Sequence, residues 1–267
     1  MHKEIEGILN DLIAEQSRVD CMVNCLSEDQ WMSKIATSGQ WTIKDAILHL
    51  AHYDSAAVKL LHGLGEDVAT YRPLYGDDPT YRRPINYWHL SAQETLSWWR
   101  EDRTKLNAVF LDKDPKDRVP WARGLPPMSI KSLATSRFME LWAHAVDIKD
   151  GLDITIEVDD SIGHILFLAW QSRPNAYRIN DFALPDTPIY LELTLPSGKI
   201  WTKGEANATN VIKGNAKDWA LVSTRRRNWM DTDLSVTGDE AQRYASVVQT
   251  FAGLADKGPE ALSQVDK

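Results

Sequence analysis

The period of the hydrophobic pattern changes once along this chain, and that change constrains the fold more than any other feature. Up to about residue 150, apolar side chains recur every three or four positions. Beyond it, the run ALPDTPIYLELTLPSG alternates Ile189, Leu191, Leu193 and Leu195 with outward-facing residues. The first period belongs to amphipathic helices and the second to a strand with one buried face. At 267 residues the chain is long enough for two cores. The pattern therefore predicts an α+β protein: a four-helix bundle over residues 1–152, then a smaller α+β domain with an antiparallel sheet over 153–267.

Within the first part, Ile5, Ile8, Leu9, Leu12, Ile13 and Val19 mark a helix over residues 3–25. Ser27 opens a short turn of helix around Trp31, and Ser38-Gly39 breaks the pattern. Thr42 with Asp45 three positions on is a helix start, and this second helix runs to about Leu61. Gly63 to Pro84 reads as a long connection over one end of the bundle. Helix three is expected from about Asn86 to Leu111, and helix four from a Ser129 cap to about Asp150. In the second part the pattern predicts a helix over 159–171 and a hairpin turning at Pro196-Ser197-Gly198. A helix over 215–224, a strand near 234–236 and a last helix over 240–254 follow.

A net charge of -8 argues against general affinity for nucleic acid or an anionic membrane. The start of the chain carries acidic residues every few positions, so neither a signal peptide nor a spanning helix is expected, and the protein is placed in the cytoplasm. Cys21 and Cys25 lie four apart on helix one, poor spacing for an intrahelical disulfide, and are read as buried free thiols. Eleven tryptophans cluster in the bundle segments and suit either core packing or the walls of an internal pocket.

Two helices carry metal-type side chains. Glu140 and His144 in ELWAHAVD are four apart and share a helical face, so they can meet at one point. The third ligand must come from another helix, where HLAHYD offers His49, with His52 either its competitor or a residue at the helix surface. Two imidazoles and one carboxylate suit zinc, nickel or ferrous iron and leave coordination positions open.

The run GQWTIKDAILHLAHYD at 39–54 resembles the G-W-T…H-L-A-x-x-D signature of the maleylpyruvate isomerase-like, DinB-related proteins. RFMELWAHAVDIKDGL at 137–152 resembles their R-x-x-E-x-W-A-H-x-x-D segment, and VPWARGLPPMS at 119–129 resembles the stretch W-x-G-P-P-M-S of the mycothiol-dependent subgroup. The resemblance implies a divalent metal, zinc or nickel, on His49, Glu140 and His144 in a DinB-like bundle, and a second domain resembling a sterol carrier protein. Asp54 and Asp147 also match the motif; each either orients a ligand or forms a salt bridge, for instance with Arg137. Arg225, Arg226 and Arg227 are candidates for meeting the carboxylate of an anionic substrate or of a thiol cofactor, Arg225 in a catalytic and Arg226 in a cofactor-binding role. The alternative for each is a solvated helix end.

The reaction so implied is metal-dependent isomerisation or S-transfer with a low-molecular-weight thiol. Two other readings stay open: the scaffold reused for a cyclisation or lyase step of specialised metabolism, or a non-catalytic protein holding a small apolar ligand. All three take a small-molecule partner, in a monomer or a homodimer.

Overall fold

The structure is a computed structural model that describes residues 3–35, 41–65, 87–121 and 126–262. Most of the connection expected over Gly63 to Pro84, and the Ser38-Gly39 break, lie outside the described residues. The chain divides into two compact units, Met1–Ile156 and Glu157–Lys267.

The first unit holds α1 (Lys3–Asn24), the short α2 (Glu28–Trp31), α3 (Ile43–Leu61), α4 (Ala92–Asp112) and α5 (Ile130–Gly151). A two-stranded ribbon, β1 (Arg118–Val119) and β2 (Met128–Ser129), leads into α5. The four long helices close a ring in which α3 packs on α4 and α5, and α1 on α5 and α4. They form a four-helix bundle whose core includes Leu9, Ile47, Leu96, Trp99, Phe110 and Phe138, all fully buried.

Polar side chains fix how α1 sits on α4. Asp20 accepts from Arg100 Nε at 2.9 Å and also from Arg103, whose guanidinium lies 4.2 Å over the Trp99 ring. The hydrogen bond from Arg100, together with the charge of Arg103, holds the Asp20 carboxyl below its usual range against the opposing effect of burial. Gln16 and Asn107 exchange amide hydrogen bonds nearby.

Three expectations for this unit need correction. Helix α4 starts at Ala92 rather than near Asn86, because Ser91 and Glu94 form a reciprocal capping box that fixes the first turn there. Cys21 and Cys25 are exposed, not buried. The buried stripe of α1 runs through Leu12, Glu15, Gln16, Val19 and Val23, and both thiols lie off it. His52, for which a helix-surface place was the alternative to ligation, is buried.

The second unit holds α6 (Gly163–Ile179), β3 (Ile189–Thr194), β4 (Ile200–Gly204), β5 (Asn210–Asn215), α7 (Ala216–Ser223), β6 (Ser235–Thr237) and α8 (Asp239–Val247). Strand order is β4-β3-β5-β6. Ile189, Leu191, Leu193 and Ile212 point inward, and α7 and α8 pack on the sheet with α6 against both helices. Arg173 and Tyr177 of α6 both bond Glu240 of α8, and the Tyr244 hydroxyl donates to Ala169 O at 2.9 Å.

The sheet is not wholly antiparallel as expected: β3 and β5 run parallel, register Leu191 to Ile212. After the β3–β4 hairpin, residues 205–209 carry the chain past the start of β3 to its other edge. Gly204, at φ +87°, makes this possible: a Cβ there would stand 1.9 Å from Ile189 O. We predict that Gly204→Val lowers the stability of this unit by about 2–4 kcal/mol, read as a fall in its urea midpoint.

Helix α6 continues beyond residue 171 through Pro174 to Ile179. Helix α8 stops at Val247 instead of reaching 254. Beyond it, the Thr250 N–H donates to Ser223 O at 3.1 Å, so a carbonyl at the end of α7 captures the backbone that would have extended α8.

Candidate metal centre

The Thr42–Asp45 capping box starts α3 so that its second turn carries His49, and the Ser129 cap starts α5 so that its inner face carries Glu140 and His144. One ligand atom from each of the three lies within 4.8 Å of the others. His49 Nε2 is 3.3 Å, and His144 Nε2 3.7 Å, from the same oxygen, Glu140 Oε2. Ligands at the bond lengths of zinc, about 2.0–2.2 Å, stand roughly 3.3–3.6 Å apart around a tetrahedral ion. The donor types suit a divalent ion, and the two distances to Glu140 Oε2 lie close to that spacing.

Protonation supports the fit. Burial pushes the His49 imidazole down to about 4, against the pull of Glu140, so the ring is neutral at neutral pH. Burial would raise Glu140, but the hydrogen bond from His49, joined by the charge of Arg137, outweighs it and holds the carboxyl down at about 2. An ionised carboxylate thus faces two imidazole nitrogens. His144 Nδ1 is 3.0 Å from Asp147 Oδ2 and donates to it, which leaves the lone pair on Nε2, the nitrogen turned toward Glu140. We predict that Asp147→Ala weakens zinc binding about 10–100-fold, measured by chelator competition.

Asp54 takes the other role open to it. Its carboxylate accepts from Arg137 Nε at 2.9 Å and from Trp99 Nε1 at 3.2 Å, all three side chains being buried. Burial raises the Asp54 carboxyl above its usual value even so. His49 and Asp54 ascend α3 while their partners Glu140 and Arg137 descend α5, so the pair sets the antiparallel register of the two helices beside the centre.

Aromatic rings surround the histidines. Trp41 stacks on His144 with centroids 5.6 Å apart and planes at 13°. Tyr53 lies 4.6 Å from His49, and Trp121 6.2 Å from Tyr53. None of these three is given a site role by the sequence, although Trp41 and Trp121 stand in the quoted G-W-T and WARGLPPMS stretches and Tyr53 is four residues from His49. His52 faces Tyr53 and Tyr87 and is not one of the three clustered ligands.

A family model described as the mycothiol maleylpyruvate isomerase N-terminal domain matches residues 12–149. The chain belongs to that family. The matched segment of the mycothiol maleylpyruvate isomerase domain contains all three clustered residues. An uncharacterised protein of Mycobacterium tuberculosis, known from strains CDC 1551 and H37Rv, is 32% identical over 254 residues, 93% of this chain and 96% of the relative. Crystal structures of mycothiol-dependent maleylpyruvate isomerase and of a histidine-to-alanine mutant share the fold. Their TM-scores are 0.57 and 0.56 at 16% and 15% identity, over 89% of this chain and 93% of theirs.

Arg225 and Arg226 lie beyond the family's N-terminal domain, just after α7. Arg225 adopts φ +63° and is buried, with Nη1 donating to Ser246 O at 3.0 Å and Nε without a hydrogen-bond partner among the described residues. Arg226 Nη1 donates to Thr224 O at 2.6 Å. No helix among the described residues is long and apolar enough to cross a membrane.

Proposed function

We propose that this chain is a metal-dependent, thiol-using enzyme that isomerises a small unsaturated organic acid or transfers a thiol to it. The observation that carries the reading is the convergence of His49, Glu140 and His144 within a family named for a thiol-dependent isomerase. A zinc or nickel ion on these residues supplies Lewis acidity that lowers the pKa of a thiol at the open coordination positions. The protein's own groups prepare that site. Ionised Glu140 presents its lone pairs directly, neutral His49 needs only to carry its ring proton on Nδ1 for Nε2 to bind, Asp147 fixes the His144 tautomer, and Trp41 holds the ring plane.

Arg225 and Arg226 belong to the same proposal as cations for the substrate and thiol carboxylates. What supports Arg225 is its left-handed backbone and its buried, unpartnered Nε, features that accompany functional sites. The protein is proposed to act in the cytoplasm on a small molecule, without nucleic acid.

The test is turnover of maleylpyruvate by zinc-loaded protein with and without added mycothiol. Conversion that needs both the thiol and an intact Glu140 supports the reading. Conversion at full rate without any thiol overturns the thiol-using reading.

A further inference from the structure

We infer that two copies of this chain associate through β4, edge to edge and antiparallel, so that the four-stranded sheets of their second units join into one. The association is independent of the metal centre.

Strand β4 forms one edge of the sheet. Lys199 O accepts from the Leu195 N–H at 2.8 Å, and the Glu205 N–H donates to Ile189 O at 3.3 Å. Hydrogen bonding alternates along an antiparallel strand, so Trp201 and Lys203 bond β3 while the N–H and C=O groups of Ile200, Thr202 and Gly204 point away from the sheet. Proline, bulges and charges normally blunt such an edge. IWTKG has no proline and bends only at its last residue, Gly204, at φ +87°. Its single charge, on Lys203, is drawn toward α6, 6.0 Å over the Phe167 ring. Apolar surface accompanies the open edge, with Ile200 58% and Phe167 45% exposed.

The pattern of charge selects a second copy as the occupant. Set antiparallel with Thr202 opposite Thr202, β4 is complementary to itself: Lys199 faces the partner's Glu205, and Lys203 faces the partner's Trp201. Two-fold symmetry makes each contact twice. The Lys203 ammonium then lies between two rings, its own Phe167 and the partner's Trp201. In this register Ile200, Thr202 and Gly204 are the residues that exchange hydrogen bonds across the seam, and they are the ones whose groups point outward. Moving the axis to Ile200 loses both charge contacts, and moving it to Gly204 shortens the seam because β4 ends there. One strand pair covers less than the roughly 1,200–2,000 Å² of a stable complex, so the dimer is reversible.

Sedimentation equilibrium of the whole chain is expected to show a monomer–dimer equilibrium with a Kd on the order of micromolar to tens of micromolar. Lys199→Glu and Glu205→Lys each set like charges opposite one another twice, and each should weaken the dimer about tenfold. An equal mixture of the two variants should dimerise more tightly than either alone, because opposite charges again face across the seam. In a Cys21→Ser/Cys25→Ser background, Thr202→Cys should cross-link to its own copy under mild oxidation, whereas Thr194→Cys, one strand further in, should not. Lys199 also feels Asp160 within its own chain, so circular dichroism accompanies each reversal; should one unfold, the Thr202→Cys cross-link decides. A monomer up to several hundred micromolar, on the order of ten times the upper expected Kd, overturns the inference. So do reversals without effect, a mixture no tighter than its components, or a Thr194→Cys cross-link as ready as that of Thr202→Cys.

Discussion

An Arg137→Met variant is expected to lose about 3–5 kcal/mol of folding stability, because it leaves the Asp54 carboxylate buried without its counter-ion. Burial already raises the Asp54 carboxyl with the arginine present, so the pair is held at a desolvation cost that its attraction only partly offsets. The double variant Asp54→Leu/Arg137→Met removes both charges and should recover most of the loss. Urea denaturation of the three proteins checks this. A single variant as stable as wild type would show that the pair does not lock α3 to α5.

Glu140→Gln is expected to weaken zinc affinity on the order of 100-fold or more, since it removes the one anionic ligand and leaves only the two imidazoles. The substitution preserves shape, and the Glu140 side chain is 23% exposed, so the fold should survive. Chelator competition and a circular dichroism spectrum separate the two effects. Unchanged affinity in a folded variant would remove Glu140 from the centre.

Much of the first unit was legible because its signals are local. Thr42 with Asp45, and Ser129, announced two helix starts, and with the helical period these put His49, Glu140 and His144 on helix faces able to converge. The Ser91–Glu94 box fixes α4 six residues later than the apolar pattern suggests. Residue type alone predicts burial for Cys21 and Cys25, whereas their position off the α1 stripe exposes them.

The second unit hid more, because its determinants are long-range. A parallel partner leaves no turn beside it in sequence, so NVIKGN carries little to mark it as the neighbour of β3. The hydrogen bond from Thr250 to Ser223 that ends α8 joins residues 27 apart and leaves no trace in local periodicity. At the site, spacing offered Asp54 and Asp147 the same two roles. Only the fold separates them, Asp147 against a ligand histidine and Asp54 against an arginine.

X-ray absorption at the zinc edge of the metal-loaded protein probes the heart of this account. Two imidazole shells and an oxygen donor at about 2.0–2.1 Å are predicted, with one imidazole lost in His49→Ala. Sulfur scattering from the exposed thiols of Cys21 and Cys25, or an imidazole signal untouched by that substitution, would place the ion elsewhere and contradict it.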